Sequence, residues 1–175
     1  LVAFRILQLK QPDFCLIEVG LGGRLDATNI ISPDISVITT IDLDHQDWLG
    51  NDRESIGFEK AGIFRHGQPV VIGDLSPPAS VLKHAASLAC HVRQVKKHYH
   101  SSEDANSWHW HSDTASYREL PLPAMPVQNA ACALAVLECL NLLPEASDLS
   151  SVLAGLTLPG RMQWLQQQPA IIVDV

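Results

Sequence analysis

The 175-residue sequence is short of basic residues, has no Cys-x-x-Cys pair and contains no long apolar run. Lys and Arg total 12 against 19 Asp and Glu, a formal charge of −7. Non-specific nucleic-acid binding draws on clustered Lys and Arg, so that class is disfavoured. Of the four cysteines, Cys15, Cys90, Cys132 and Cys139, no two have the spacing of a structural zinc site. Cys15 and Cys132 lie in apolar runs and are expected to be buried free thiols, which fits a reducing compartment. No apolar stretch approaches the roughly 18 residues of a membrane-spanning helix, and the N-terminus lacks a signal-peptide layout. Several of the eight histidines fall between His91 and His111, without regular metal-ligand spacing. There is no internal repeat.

What is present suits a folded domain. Hydrophobic residues make up 46% and charged residues 18%, which argues against wholesale disorder. Apolar residues at helical spacing (Val2, Phe4, Ile6, Leu7, Leu9) predict a helix over 2–10, ended by Pro12. The run Phe14 to Val19 reads as a buried strand, followed by a glycine-rich turn at 20–23. Further strands are expected at 34–41, 69–73 and 91–96, with helices at 53–65 and 78–90 between them. This alternation predicts an α/β fold with a parallel sheet, whose ligands bind at the carboxyl ends of the strands. Residues 101–127 read as a β-hairpin and a loop, followed by helices at 128–142 and 147–156.

Two motifs directly follow the first two expected strands. The first is Glu18-Val-Gly-Leu-Gly-Gly-Arg-Leu-Asp-Ala-Thr-Asn29. A carboxylate at the end of an apolar strand is costly unless paired or bound to a cation, and the glycines permit turns and close approaches that other residues forbid. A plain surface turn with a solvated Glu18 is the alternative. The second is Thr39-Thr-Ile-Asp-Leu-Asp-His-Gln-Asp-Trp-Leu-Gly50, in which His45 is flanked by Asp42, Asp44 and Asp47. If both strands are parallel and adjacent, Glu18 and His45 emerge at one sheet edge. With phosphate oxygens they could then hold Mg²⁺ or Mn²⁺, although Mg²⁺ prefers oxygen to imidazole. A third segment, Arg53-Glu-Ser-Ile-Gly-Phe-Glu-Lys-Ala-Gly-Ile-Phe64, carries Lys60. It is either a helix-surface lysine or a buried one able to react as a neutral amine and take up CO₂ as a carbamate.

These segments, with the Pro-Leu-Pro stretch before Gln128-Asn-Ala-Ala and with Leu158-Pro-Gly-Arg161, resemble in order and spacing the bifunctional dihydrofolate synthase/folylpolyglutamate synthase family of the Mur ligase superfamily. The resemblance implies a P-loop-type, mainly parallel sheet flanked by helices, the central ATPase domain of a Mur ligase. It implies a cytoplasmic, monomeric ligase with ATP and Mg²⁺ as cofactors. ATP activates a carboxylate as an acyl phosphate, and the amine of L-glutamate attacks it. The acceptor is dihydropteroate or a tetrahydrofolate that already carries glutamate. By motif, Glu18 and His45 resemble metal ligands and Lys60 a carbamylated lysine. Leu25, Asp26 and Ala27 resemble pterin-contacting residues, and Asn129, Arg161 and Asp174 nucleotide contacts. Taken without the resemblance, Asp26 could equally be a turn former, Asn129 a helix cap, Arg161 a solvated connector residue and Asp174 a strand terminator.

The family's glycine-lysine phosphate loop is absent from this sequence, and no G-x-x-x-x-G-K-[ST] pattern replaces it. Both ends read as interior to a longer protein. Residues 1–158 are expected to form a partial ATPase domain truncated at its N-terminus, 159–169 an interdomain connector, and 170–175 the first strand of a C-terminal glutamate-ligase domain. The chain alone is expected to be inactive, since phosphoryl transfer needs loop, lysine and metal together. Two other readings stand beside this one. The first is another Mur-type ligase, acting on a cell-wall precursor or a polyamino acid. The second is a non-catalytic domain that binds a nucleotide or a partner.

Overall fold

The computed structural model describes residues 2–160 and 163–174. It opens with α1 (Val2–Lys10), helical as its periodicity predicts but with no buried residue. Residues 11–19 form neither helix nor sheet. The expected strand Phe14 to Val19 is therefore not formed among the described residues. Leu16 is 100% exposed and Cys15 is exposed rather than buried. A strand needs a ladder partner for its N–H and C=O groups, and this run has none.

A short 3₁₀ helix (Ala27–Ile30) closes the glycine turn. The parallel sheet then builds through β1 (Ser36–Ile38), α2 (Gln46–Leu49), α3 (Arg53–Ala61), β2 (Pro69–Ile72), α4 (Ala79–Ser87) and β3 (His91–Gln94). Its order is β1-β2-β3, with Val37 opposite Val71 and Val71 opposite Arg93. Helix α3 stops at Ala61, earlier than expected. A Cβ at Gly62 would fall 2.4 Å from Arg24 Cβ, so the chain turns here against the glycine loop.

Strand β2 is covered on both faces, and its side chains alternate between two cores. Val70 and Ile72 pack with Ile38, Ile56, Phe64, Val81 and Ala85 beneath α3 and α4. Val71 joins the other core, with Tyr99, Trp108, Trp110 and Leu134. Gly57 lets α3 approach α4, since a Cβ there would lie 2.9 Å from Val81.

Residues 101–127 are richer in structure than the expected hairpin. Strands β4 (Tyr99–Glu103), β5 (Ser107–Ser112) and β6 (Ser116–Pro121) form an antiparallel meander with a bulge between Trp108 and Trp110. Helix α5 (Val127–Cys139) fills the space between meander and parallel sheet, burying Ala130, Ala131 and Ala135. Trp110 Nε1 donates to the Ala131 carbonyl at 3.2 Å, so the indole polar atom is satisfied inside the core. Helix α6 (Ala146–Gly155) adds Leu149 and Leu153. The expected connector at 159–169 contains a strand, β7 (Gln163–Gln166), which pairs antiparallel with β8 (Ile171–Val173). No described helix is long and apolar enough to cross a membrane.

Candidate functional site at the carboxyl ends of the parallel strands

The glycine turn is fastened to α3 by backbone and side chains together. The Arg24 N–H donates to the Glu59 carbonyl at 2.8 Å, and its guanidinium grips the Glu59 carboxylate with Nη2–Oε1 at 2.9 Å. Asn29 Nδ2 donates to the carbonyls of Arg24 and Gly62 at 3.0 and 3.1 Å. Arg65 donates back to the Asn29 carbonyl at 2.7 Å. Gly23 makes the contact possible, because a Cβ there would sit 2.8 Å from the Glu59 carbonyl and 2.9 Å from that of Lys60. Gly22, at φ +67°, faces Leu49 just after His45. The turn after Glu18, the His45 segment and the helix carrying Lys60 thus meet around α3.

Asp26 is spent on the turn itself. Its carboxylate accepts from Thr28 Oγ1 at 2.6 Å, Thr28 N at 2.8 Å, Gly20 N at 3.1 Å and Leu21 N at 3.2 Å. The Thr28 hydroxyl first, then its N–H, holds the acid below the usual carboxylate range. Its neighbours Leu25 and Ala27 are exposed.

His45 takes φ +51°, and its N–H donates to Asp44 Oδ1 at 2.7 Å. Its ring Nε2 lies 3.5 Å from Asp44 Oδ2 and its side chain is 57% exposed. The His45 carbonyl accepts from the N–H groups of Trp48 and Leu49, so it starts α2. Glu18 is exposed, and neither hydrogen bond nor ion pair engages its carboxylate among the described residues. The expected adjacent parallel strands do not place Glu18 beside His45, because residues 14–19 pair with no strand. Lys60 is half-buried in the last turn of α3, and its ammonium has no ion pair among the described residues.

Asn129 lies exposed in the first turn of α5, where the cap is Pro126 and not the asparagine. Its neighbour Gln128 donates through Nε2 to the Gly73 carbonyl, docking the helix start on the end of β2. Arg161 lies outside the described residues. Asp174 follows β8, in a hairpin whose strands bury no residue. Among the described residues no group of three or more His, Cys, Asp or Glu side chains is arranged to hold a metal ion.

Asp74, which sequence reasoning passed over, is the buried polar centre of this region at 3% exposure. It pairs with Arg53 Nη2 at 2.9 Å and accepts from the Ile41 N–H at 2.8 Å. The available signal was the one applied to Glu18: a carboxylate directly after an apolar strand needs a partner.

No family model matches the chain. Individual relatives do. It is 40% identical over 175 residues to the dihydrofolate synthase/folylpolyglutamate synthase of Escherichia coli (strain K12), covering all of this chain and 42% of that protein. The same-named protein of Haemophilus influenzae is 38% identical, with 100% and 44% covered. Among solved structures, the bifunctional folylpolyglutamate synthase/dihydrofolate synthase of Yersinia pestis superposes with a TM-score of 0.90 at 44% identity, covering 99% of this chain and 42% of that one. The same protein complexed with AMPPNP and Mn ion gives 0.89, again at 44% identity with 99% and 42% covered. The chain spans about two fifths of the length of these relatives. Over that portion it belongs to the dihydrofolate synthase/folylpolyglutamate synthase family.

Proposed function

We propose that this chain serves, within a protein of the family's full length, in an ATP-dependent ligase that joins L-glutamate to dihydropteroate or to a reduced folate. The observation that carries the reading is sequence identity sustained over all 175 residues to an enzyme of that name. A bifunctional folylpolyglutamate synthase/dihydrofolate synthase solved with Mn, AMPPNP and L-glutamate bound, 44% identical to this chain, supports the choice of nucleotide, divalent cation and amino acid.

In this reading an oxygen of the acceptor carboxylate attacks the γ-phosphorus of ATP, ADP leaves, and an acyl phosphate forms. The glutamate amine then attacks the acyl carbon, phosphate leaves, and the amine gives up a proton. Glu18 and His45 would hold the divalent cation. The donor set fits in kind: Mg²⁺ characteristically binds one or two protein groups, several waters and substrate phosphates rather than an all-protein cage. A Glu18 that is exposed and has no partner among the described residues, and an exposed His45 beside Asp44, suit such a partial set. The cation would neutralise phosphate charge. Lys60, half-buried and without an ion pair among the described residues, has the setting for an amine that adds CO₂ and releases a proton. Leu25 and Ala27 would meet the pterin, with Asp26 shaping the turn that presents them. Asn129, Arg161 and Asp174 would contact the nucleotide.

The test is glutamate-dependent ADP release by the full-length protein, supplied with dihydropteroate or a tetrahydrofolate, with and without Glu18→Ala. Turnover that requires the pterin and falls by at least about a hundredfold in the variant supports the ligase and the metal role together. Pterin-independent behaviour would move the reading to another Mur-type ligase.

A further inference from the structure

We infer that Asp74 and Arg53 are positioning residues that hold the His45 loop in shape for a cation; the inference rests on the proposed role of His45 as a ligand. Ile41 is gripped through both of its backbone polar groups. Its N–H donates to Asp74 Oδ2 at 2.8 Å, and its carbonyl accepts from Arg53 Nε at 2.9 Å. Arg53 Nη2 in turn lies 2.9 Å from both oxygens of Asp74, whose Oδ1 also accepts from the Ser76 N–H at 2.8 Å. One carboxylate therefore joins the ends of β1 and β2 to the first residue of α3.

The contact between Ile41 and Arg53 closes the neck of the loop that contains His45. Inside that neck lie Asp42, Asp44, Asp47 and Asp52, and from Thr39 to Glu59 Arg53 is the sole Arg or Lys. Held against Asp74, Arg53 is kept from folding over the loop carboxylates, and the loop stays electronegative. The anchors on either side are apolar and buried, Ile41 at 2% and Leu49 at 9% exposure. A loop tied at its neck and anchored at both flanks fixes the direction from which His45 leaves the backbone. Groups that orient a ligand in this way typically change metal affinity about 10- to 100-fold when removed.

The experiment measures Mn²⁺ binding to the full-length protein with AMPPNP present, by electron paramagnetic resonance of the free ion. Hydrogen exchange of residues 41–49 is followed alongside. Asp74→Asn keeps the shape and removes the charge. It is expected to weaken Mn²⁺ binding by about tenfold and to speed exchange across the loop. Arg53→Lys keeps the charge and loses the fork onto Ile41, and serves if Asp74→Asn does not fold; the same directions are expected, at about threefold. Wild-type Mn²⁺ affinity in a folded variant with a loosened loop would overturn the inference and leave the pair a structural brace only. His45→Ala separates this from failure of the underlying reading. If that variant binds Mn²⁺ as wild type does, His45 is no ligand, and both fall.

Discussion

At the scale of single residues, the glycine turn depends on what its side chains do not occupy. Gly23→Ala would drive a Cβ into two carbonyl oxygens of α3, neither of which is a yielding side-chain tip. A loss of about 1–3 kcal/mol is expected, read as a lower urea midpoint with an unchanged slope. Asp26 gives a pH-dependent prediction. Its pKa in the folded chain lies below the ordinary value of 3.8, so the unfolded chain binds the proton more readily. The stability from its four hydrogen bonds is present above the unfolded pKa and disappears as pH falls through the folded one. Asp26→Asn should therefore be less stable than wild type at pH 7, and the gap should shrink below about pH 4; urea melts across that range check it. The turn-forming role of Asp26 was legible in the sequence, because Asp followed by Thr two residues later forms such turns locally. The partnership of Asp74 with Arg53 was not. It spans 21 residues and exists only because β1 and β2 are neighbours.

At the scale of elements, the parallel strands were legible for a physical reason. A strand buried on both faces reads as an unbroken apolar run, as in Pro69 to Ile72. The same composition at 14–19 gave no strand, since a run of apolar residues does not reveal whether a ladder partner stands beside it. The meander was half-legible: a hairpin and a loop are expected over 101–127, whereas breaks at 104–106 and 113–115 divide the segment into three strands. Glu138 ties this meander to the rest of the molecule. On α5, it accepts from the hydroxyls of Ser112 and Thr114 and pairs with Arg93 of β3. Burial raises its pKa, but those bonds outweigh burial and the net shift is downward. Glu138→Gln is expected to cost about 1.5–3 kcal/mol, with the loss of amide protection concentrated in β4 to β6 in a hydrogen-exchange experiment.

At the scale of the whole molecule, the chain holds two cores, an acidic loop cluster and a glycine turn, but no sequence of the phosphate-cradling type. Phosphoryl transfer relies on positioning and charge neutralisation by several parts at once. The purified 175-residue chain is expected to give no glutamate-dependent phosphate release with any pterin; detectable release would show that the parts present suffice. The family could be read from the order of its motifs, because a chain of spaced segments is far more specific than any one of them. The grouping of Glu18 with His45 stands on the motifs alone, since the strand pairing expected to bring them together is absent among the described residues.

The alternation of β2 has a consequence for accuracy. A one-residue slip of this strand would push Val71 into the layer under α3 and α4 while Val70 and Ile72 turned toward the tryptophans. Two unrelated sets of neighbours would reject the same error, and each alone would be enough. Asp74, two residues beyond the strand, shares that protection: its place beside Ile41 depends on the register that Val70, Val71 and Ile72 hold.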